Sequence, residues 1–504
     1  MTGRRALLLA APLLLAGCWS GLGDWGDWSP FGDPVGPDYA RPAQPDLPAG
    51  YRGPAPDFVA ASAASDADRR AASRWWTRFE DPLLDRLAAR GLTENPEVAL
   101  ADSRVREARA LLTGARAGRR PTLDAEAEAG VEGRRDYAER EADEERDLGG
   151  ALGLAGLFDW TLDVFGGVER EVEAAEAGLR LVEAERRDAA LAVVAQIART
   201  YVTLRGAQTR LDHSDEAIAL QRESLALVRG RVESGLASEL DRARAEAELS
   251  ALEADRAPIR TEIQRAASAL AVLTGAPPGA LPDEIDTPGP PPHVADGPPI
   301  GAPLDLLRQR PDLTAAEEAL IRATAEIGVA EAALYPSFTL PGRLGFELSD
   351  VFTGELVASV VGSLFLAIDA PLFDAGAREA ALEAAYERAE QAFLAYRAAL
   401  LTALEEVESA LDGYAGAQRR VRLLAAAVEA NRRAFEQAEQ RYSQGLANYL
   451  DVLDAQRTLT DRRLDLAVAQ TDLALEAVAL YEAAGLAPLL PDVPPRPART
   501  AARS

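Results

Sequence analysis

The chain is written twice, and the length of the repeat limits what it can fold into. Pro96, Pro121 and Gly130 recur as Pro311, Pro336 and Gly345, each displaced by 215 residues. Arg231 to Asp241, with Gly235, Leu236, Ala237 and Leu240 inside it, recurs as Arg441 to Asp451, with Gly445, Leu446, Ala447 and Leu450, displaced by 210. Solenoid units repeat every 20–50 residues or so, so this is no stack of small units. One half-structure has been duplicated, and the 504 residues read as one intertwined body rather than as a string of domains.

Each copy holds a strand signal between helical ones. In 122–132, Leu123, Ala125, Ala127, Ala129 and Val131 alternate with Asp124, Glu126, Glu128, Gly130 and Glu132. Strict alternation marks a strand with one apolar and one polar face. A second run, about 150–163, puts Leu152, Leu154, Gly156, Phe158, Trp160 and Leu162 on one face. The second copy repeats the pair at about 337–348 and 356–369, around a turn at 350–354. These strands approach the 9–11 residues or so that cross a bilayer at a tilt. A sheet with one wet face is the other reading of the same alternation.

Helices flank the hairpins. A first one starts at Asp81-Pro82, breaks at Asn95-Pro96 and runs to about Arg119; its counterpart starts near Pro311. After each hairpin comes a helix of great length, 168–232 and 376–440, with no proline in either. A 3-4 seam runs down the first: Val168, Val172, Ala175, Leu179, Val182, Arg186, Ala189, Val193, Ile197, Thr200, Leu204, Ala207, Leu211, Ser214, Ile218, Gln221, Leu225, Val228, Val232. All but Arg186, Thr200, Ser214 and Gln221 are apolar, which is a coiled-coil seam. At ~1.5 Å per residue such a helix spans about 100 Å. Each turns at its Gly-Leu-Ala element and returns as a second helix, about 238–274 and 448–484.

The expected organisation is a signal peptide at 1–17, a tether at 18–80, repeats at 81–276 and 304–487, a Pro-rich connector at 277–303 and an irregular tail at 488–504. Arg4-Arg5, an apolar run from Ala6 to Leu14, and Leu15-Ala16-Gly17-Cys18 have the charge order and length of a secretory signal. The segment resembles a bacterial lipoprotein signal, with Cys18 lipidated as the mature N-terminus. Cys18 is the only cysteine, so no intramolecular disulfide forms. One acylated cysteine anchors a protein without spanning the membrane.

No later stretch reaches the roughly 18 apolar residues of a spanning helix. If the mature chain crosses a membrane, it does so as a closed β-barrel. Four strands cannot close one, so hairpins from other copies must join, and three copies give about twelve strands. The apolar face of 122–132 would then meet lipid. Asp124, Glu126, Glu128 and Glu132 would line a cation-favouring lumen, unless they are simply solvated strand residues.

The formal charge of −27 argues against nucleic acid, whose phosphates need clustered cations. No cofactor is expected, and an enzyme is not. His213 and His293 are the only histidines, and no metal-ligand or nucleophile constellation remains.

Several segments carry a family resemblance. They are Val35-Gly-Pro-Asp-Tyr39-Ala-Arg-Pro42, Trp75-Trp76-Thr-Arg-Phe79-Glu-Asp81-Pro82-Leu83, and Arg310-Pro311-Asp312 with Ala316-Glu317. Ile327-Gly328-Val329-Ala330, Tyr335-Pro336-Ser337, Pro371-Leu-Phe373-Asp-Ala-Gly376 and 441–456 complete the set. Together they resemble the outer-membrane efflux lipoproteins of the NodT/OprM type, within the TolC-like trimeric channel family. The spacer from Cys18 to Val35 is longer and richer in tryptophan than is usual there.

The resemblance implies a fold that is mainly α with a small β part. Long coiled-coil helices would form a periplasmic α-barrel, and four strands per chain would join a trimeric twelve-stranded transmembrane β-barrel. It implies a homotrimer, lipid-anchored in the outer membrane and reaching into the periplasm. A periplasmic adaptor (a membrane fusion protein) and an inner-membrane RND-type pump would be its partners, with drugs or metal ions as cargo. A type I protein-secretion conduit and a structural coiled-coil envelope lipoprotein are the alternatives. The resemblance places a periplasmic gate at Asp451 and Asp454, although Asp451 also reads as a helix N-terminal residue favoured by the macrodipole. Some members carry an arginine latch four residues before the first aspartate, where this chain has Ala447. Adaptor docking is implied at the tips Gly235, Leu236, Ala237, Gly445, Leu446 and Ala447; Ser238 and Asn448 beside them read equally as helix caps.

Overall fold

A computed structural model describes residues 33–42, 73–134, 147–281, 285, 287–292, 310–349 and 357–495. The duplication persists in the lengths of the elements. Helices α1 (Pro82–Glu94) and α2 (Pro96–Ala117) precede the first hairpin, and α3 (Gly167–Glu233) and α4 (Glu239–Leu273) follow it. Helix α5 (Pro311–Ala332) precedes the second hairpin, and α6 (Ala377–Ser443) and α7 (Tyr449–Ala483) follow it. Helices α2 and α5 both have 22 residues, α3 and α6 both 67, and α4 and α7 both 35.

Local chemistry sets the boundaries. Asp81 caps α1, its Oδ1 accepting from the Leu83 N–H at 2.9 Å and the Leu84 N–H at 3.2 Å, with Pro82 in the first turn. Tyr201 donates to the other Asp81 oxygen at 2.6 Å. Asn95 ends α1 and starts α2, its Oδ1 accepting from the Glu97 N–H at 2.7 Å, as the residue before a proline is biased to do. Pro258 lies within α4 without ending it.

The strands are β1 (Thr122–Arg134), β2 (Asp147–Asp159), β3 (Thr161–Leu162), β4 (Ser337–Thr339), β5 (Gly342–Ser349), β6 (Val357–Leu364) and β7 (Ala367–Asp369). They make a four-stranded antiparallel sheet in the order β1-β2-β5-β6 and a three-stranded one in the order β3-β4-β7. Three of the four strands expected from sequence are therefore broken. The run 150–163 breaks at Trp160, 337–348 at Leu340-Pro341, and 356–369 at Phe365-Leu366. Pro341 has no N–H to give a ladder, and the pieces on either side of it join different sheets. Side-chain alternation carries on across the breaks, which is why the sequence shows one strand in each place. The turn expected at 350–354 lies outside the described residues.

The chain divides into two compact units. One comprises 1–38, 114–174 and 324–386 and holds both sheets; the other comprises 39–113, 175–323 and 387–504. The second unit has a core around Trp75, which stacks on Tyr481 at 5.0 Å between ring centroids. Trp76 and Phe79 pack edge-on to Trp75. These aromatics sit on a 3-10 turn, Trp75–Phe79, so the end of the expected 18–80 tether belongs to the core. Aromatic side chains bury 150–250 Å² or so each, enough to pin the segment.

No seam residue of α3 is exposed. Around Leu191–Gln208 burial goes beyond the seam: Val194, Ala195, Ala198, Val202 and Arg205 are buried as well. Another core cluster of this unit joins Leu225, Val228, Phe435, Tyr442, Tyr449 and Leu453 beside the Gly-Leu-Ala turns. The described parts of the connector (277–281, 285 and 287–292) and of the tail (488–495) are largely irregular but docked. Arg205 donates to the Thr287 carbonyl at 2.5 Å and Gln208 to the Ile285 carbonyl at 2.7 Å. Arg109 donates to the Val493 carbonyl at 2.6 Å. Among the described residues no helix is long and apolar enough to cross a membrane.

Candidate functional site

Directly paired residues of an antiparallel sheet share a face. The register therefore shows which strand residues line up together. Ala127 lies opposite Leu154, Leu154 opposite Phe346, and Phe346 opposite Val360. Leu123, Val131, Leu344 and Leu364 fall on that same face, all between 63 and 67 % exposed, so the face is apolar and uncovered in the single chain. Contiguous exposed apolar area of this kind marks a surface that meets protein or lipid. On the opposite face lie Asp124, Glu126, Glu128 and, by strand position, Glu132. Their β2 partners are Leu157, Ala155, Gly153 and Gly149, and Arg343 and Glu347 follow on β5. The sheet thus segregates lipid-compatible and ionic surfaces as the alternation predicts.

The two Gly-Leu-Ala turns are built alike. Gly235 and Gly445 take φ of +74° and +77°, where a side chain would be strained. The Leu236 N–H bonds to the Arg231 carbonyl at 2.7 Å and the Gly235 N–H to the Val232 carbonyl at 2.9 Å. Leu446 and Gly445 do the same with Arg441 and Tyr442, at 2.8 and 2.9 Å. This is the Schellman ending of a helix. Its apolar residue, Leu236 or Leu446, is left 70 or 65 % exposed, while Ala237 and Ala447 are half-buried. Capping boxes then start α4 and α7: Ser238 pairs with Asp241 and Asn448 with Asp451.

Asp451 therefore has a structural job: its Oδ2 accepts from the Asn448 N–H at 3.3 Å. It nonetheless remains exposed, and so does Asp454 three residues on. Arg457, the next turn's cation, is turned to Glu248, its Nε donating at 2.7 Å. The hydrogen bond to Glu248 is the main cause of its raised pKa, with the charge of Asp454 a minor one. Arg231 lies over the Tyr442 ring, 4.4 Å from its centroid, and donates to the Tyr442 carbonyl at 2.9 Å. Burial pushes the Tyr442 phenol up, against the pull of Arg231. Cys18 lies outside the described residues.

Sequence reasoning missed the dock of 35–42. Arg170 donates to the Val35 and Gly36 carbonyls, both at 3.1 Å, and to Asp38 at 2.8 Å. A side chain on Gly36 would stand 2.5 Å from the Gly328 Cα, so both glycines are needed for the close approach. Farther along, Arg41 grips Glu317 with two hydrogen bonds, at 2.7 and 2.8 Å. Tyr39 donates to Glu317 at 3.0 Å, and burial followed by that contact raises its pKa. The signal was present, since Val35–Pro42, Gly328 and Glu317 all lie in the segments that carry the resemblance. Among the described residues no group of three or more His, Cys, Asp or Glu is placed to hold a metal.

A duplicated set of long helix pairs, together with an amphipathic sheet open at both edges among the described residues, defines a TolC-like channel protein. Residues 87–276 and 302–486, one stretch in each copy, match the outer membrane efflux protein family, and the chain belongs to that family. It is 32% identical to Nodulation protein T of Rhizobium leguminosarum bv. trifolii, over 86% of this chain and 90% of that protein. It is 30% identical to the solvent efflux pump outer membrane protein SrpC of Pseudomonas putida, over 89 and 94%. Among solved structures the outer-membrane channel OprN superposes with a TM-score of 0.80 at 33% identity, covering 90% of this chain and 98% of that one.

Proposed function

We propose that this outer-membrane efflux channel works as a homotrimer, lipidated at Cys18, that receives small molecules from a periplasmic adaptor and an inner-membrane pump. The observation that carries the reading is the four-stranded sheet. One of its faces is apolar and uncovered, the other is acidic, and among the described residues both of its edges are open. Open edges cannot stand in lipid, so the sheet must be completed by other copies. Asp124, Glu126, Glu128 and Glu132 then face the lumen, where rings of carboxylates favour cations. The exposed tips at Leu236 and Leu446 are the adaptor's contact points, and the exposed pair Asp451 and Asp454 is the gate.

Reconstitution in planar bilayers tests the channel. Cation-selective conductance is expected, and the Glu126→Gln/Glu128→Gln variant should lose part of the selectivity while keeping the conductance. Anion selectivity of the wild type would remove the carboxylates from the lumen, and no conductance at all would sink the channel.

A further inference from the structure

The internal duplication repeats one strand pairing, and with it one register. The two hairpins share one register. Thr122 opposite Asp159 becomes Ser337 opposite Asp369 after the 215 and 210 displacements, and Leu123 opposite Phe158 becomes Phe338 opposite Ile368. One junction between the hairpins lies inside the chain. There Leu154 faces Phe346, Leu157 faces Arg343, Thr161 faces Thr339 and Leu162 faces Phe338. The mirror junction needs the return strand of the second hairpin and the leading strand of the first. In a single chain these are the two open edges.

We propose that the edge running from Val357 to Leu372 pairs antiparallel with β1 of a second copy of this chain, in the register carried over from the internal junction. The displacements then set Leu364 against Val131 of the other copy, Ala367 against Glu128, Pro371 against Asp124 and Leu372 against Leu123. This inference rests on the trimer reading above and adds to it the residues that meet.

Three observations support the register. On the uncovered face apolar residues meet apolar ones, Leu364 with Val131 and Leu372 with Leu123, whereas a slip of one residue would set Leu364 and Leu372 against Glu132 and Asp124. Pro371 falls where its missing N–H is harmless. The Leu340 N–H bonds to the Trp160 carbonyl at 2.7 Å, so the next pair, Thr161 with Thr339, is a non-hydrogen-bonded one, and Pro371 is the counterpart of Thr161. Finally, Leu372 and Phe373 are 94 and 90 % exposed, although the Leu372 counterpart, Leu162, is half-buried opposite Phe338. A neighbour's Leu123, itself 67 % exposed, supplies the cover that the chain's own fold lacks.

Cysteine pairs in the full-length protein, oxidised in outer-membrane fractions, test the register. Ala367→Cys with Glu128→Cys occupies a non-hydrogen-bonded pair, where side chains are closest, and should give a covalent ladder ending at three chains. Ala367→Cys with Asp124→Cys is displaced by four residues, about 13 Å along the strand, and should link at least about tenfold less. The reverse ranking, or no linkage in a protein that light scattering shows to be trimeric, overturns the register and leaves the trimer standing. A monomer by light scattering removes the trimer and the register together. Leu372→Asp has no intrachain packing to lose, and should leave the helical content unchanged while cutting detergent-stable trimers by roughly tenfold through a buried charge. Wild-type trimer yield from that variant also counts against the register.

Discussion

Glu476 shows how a single residue can work against its own fold. It is half-buried on α7 opposite Gly413, where a side chain would come within 2.4 Å of its Oε2. Burial, and after it the charge of Asp472, raises its pKa. A carboxyl raised in the native state contributes its full stability only below the ordinary carboxylate range, and loses it as pH climbs through the raised value. At neutral pH the ionised group is therefore a liability. Glu476→Gln should raise the melting temperature near neutral pH, with the gain fading below about pH 4; a gain independent of pH would refute the assignment. Gln221 is the opposite case. Fully buried in the α3 seam, it donates to the Ala245 carbonyl at 2.8 Å and accepts from Gln456 at 3.1 Å. The spacing showed that Gln221 interrupts the seam. It could not show the partner, which lies 235 residues away on another helix.

At the level of elements, the helix ends were the most legible parts. Asp81-Pro82, Asn95-Pro96 and the Gly-Leu-Ala turns act through neighbours within a few residues, so their sequence already contains the interaction. Strand breaks were less so, because a strand that changes sheets does so for partners distant in sequence. The tips also illustrate what local chemistry leaves open. A leucine just after a Schellman glycine usually packs back on its own helix, yet Leu236 and Leu446 are mostly exposed. A photo-crosslinker at either leucine should capture the co-expressed adaptor during active export, at several times the yield of one at the exposed Leu423. Equal yields would place docking elsewhere.

For the whole molecule, the duplication matters most where the copies differ. Asp241 and Asp451 close equivalent capping boxes, but Arg244 stands where the second copy has Asp454. In the proposed trimer, only the second copy would thus bring an exposed aspartate pair to the three-fold axis, where like charges repel and cations are held. Asp451→Asn/Asp454→Asn keeps an oxygen able to serve the cap while removing both charges. Its channels should conduct about twofold more, or lose block by divalent cations; unchanged single-channel currents would remove the gate role.

By itself the sequence determined the duplication, the lengths and ends of the helices, the faces of the strands and the family resemblance. All of these follow from periodicity or from contacts a few residues apart. Only the tertiary structure decided that Trp75–Phe79 is core, that the connector and the 35–42 segment dock, that three strands break between two sheets, and in what register the hairpins meet. Those outcomes depend on which distant surfaces bury one another and which backbone groups remain to be paired, and no local pattern encodes either.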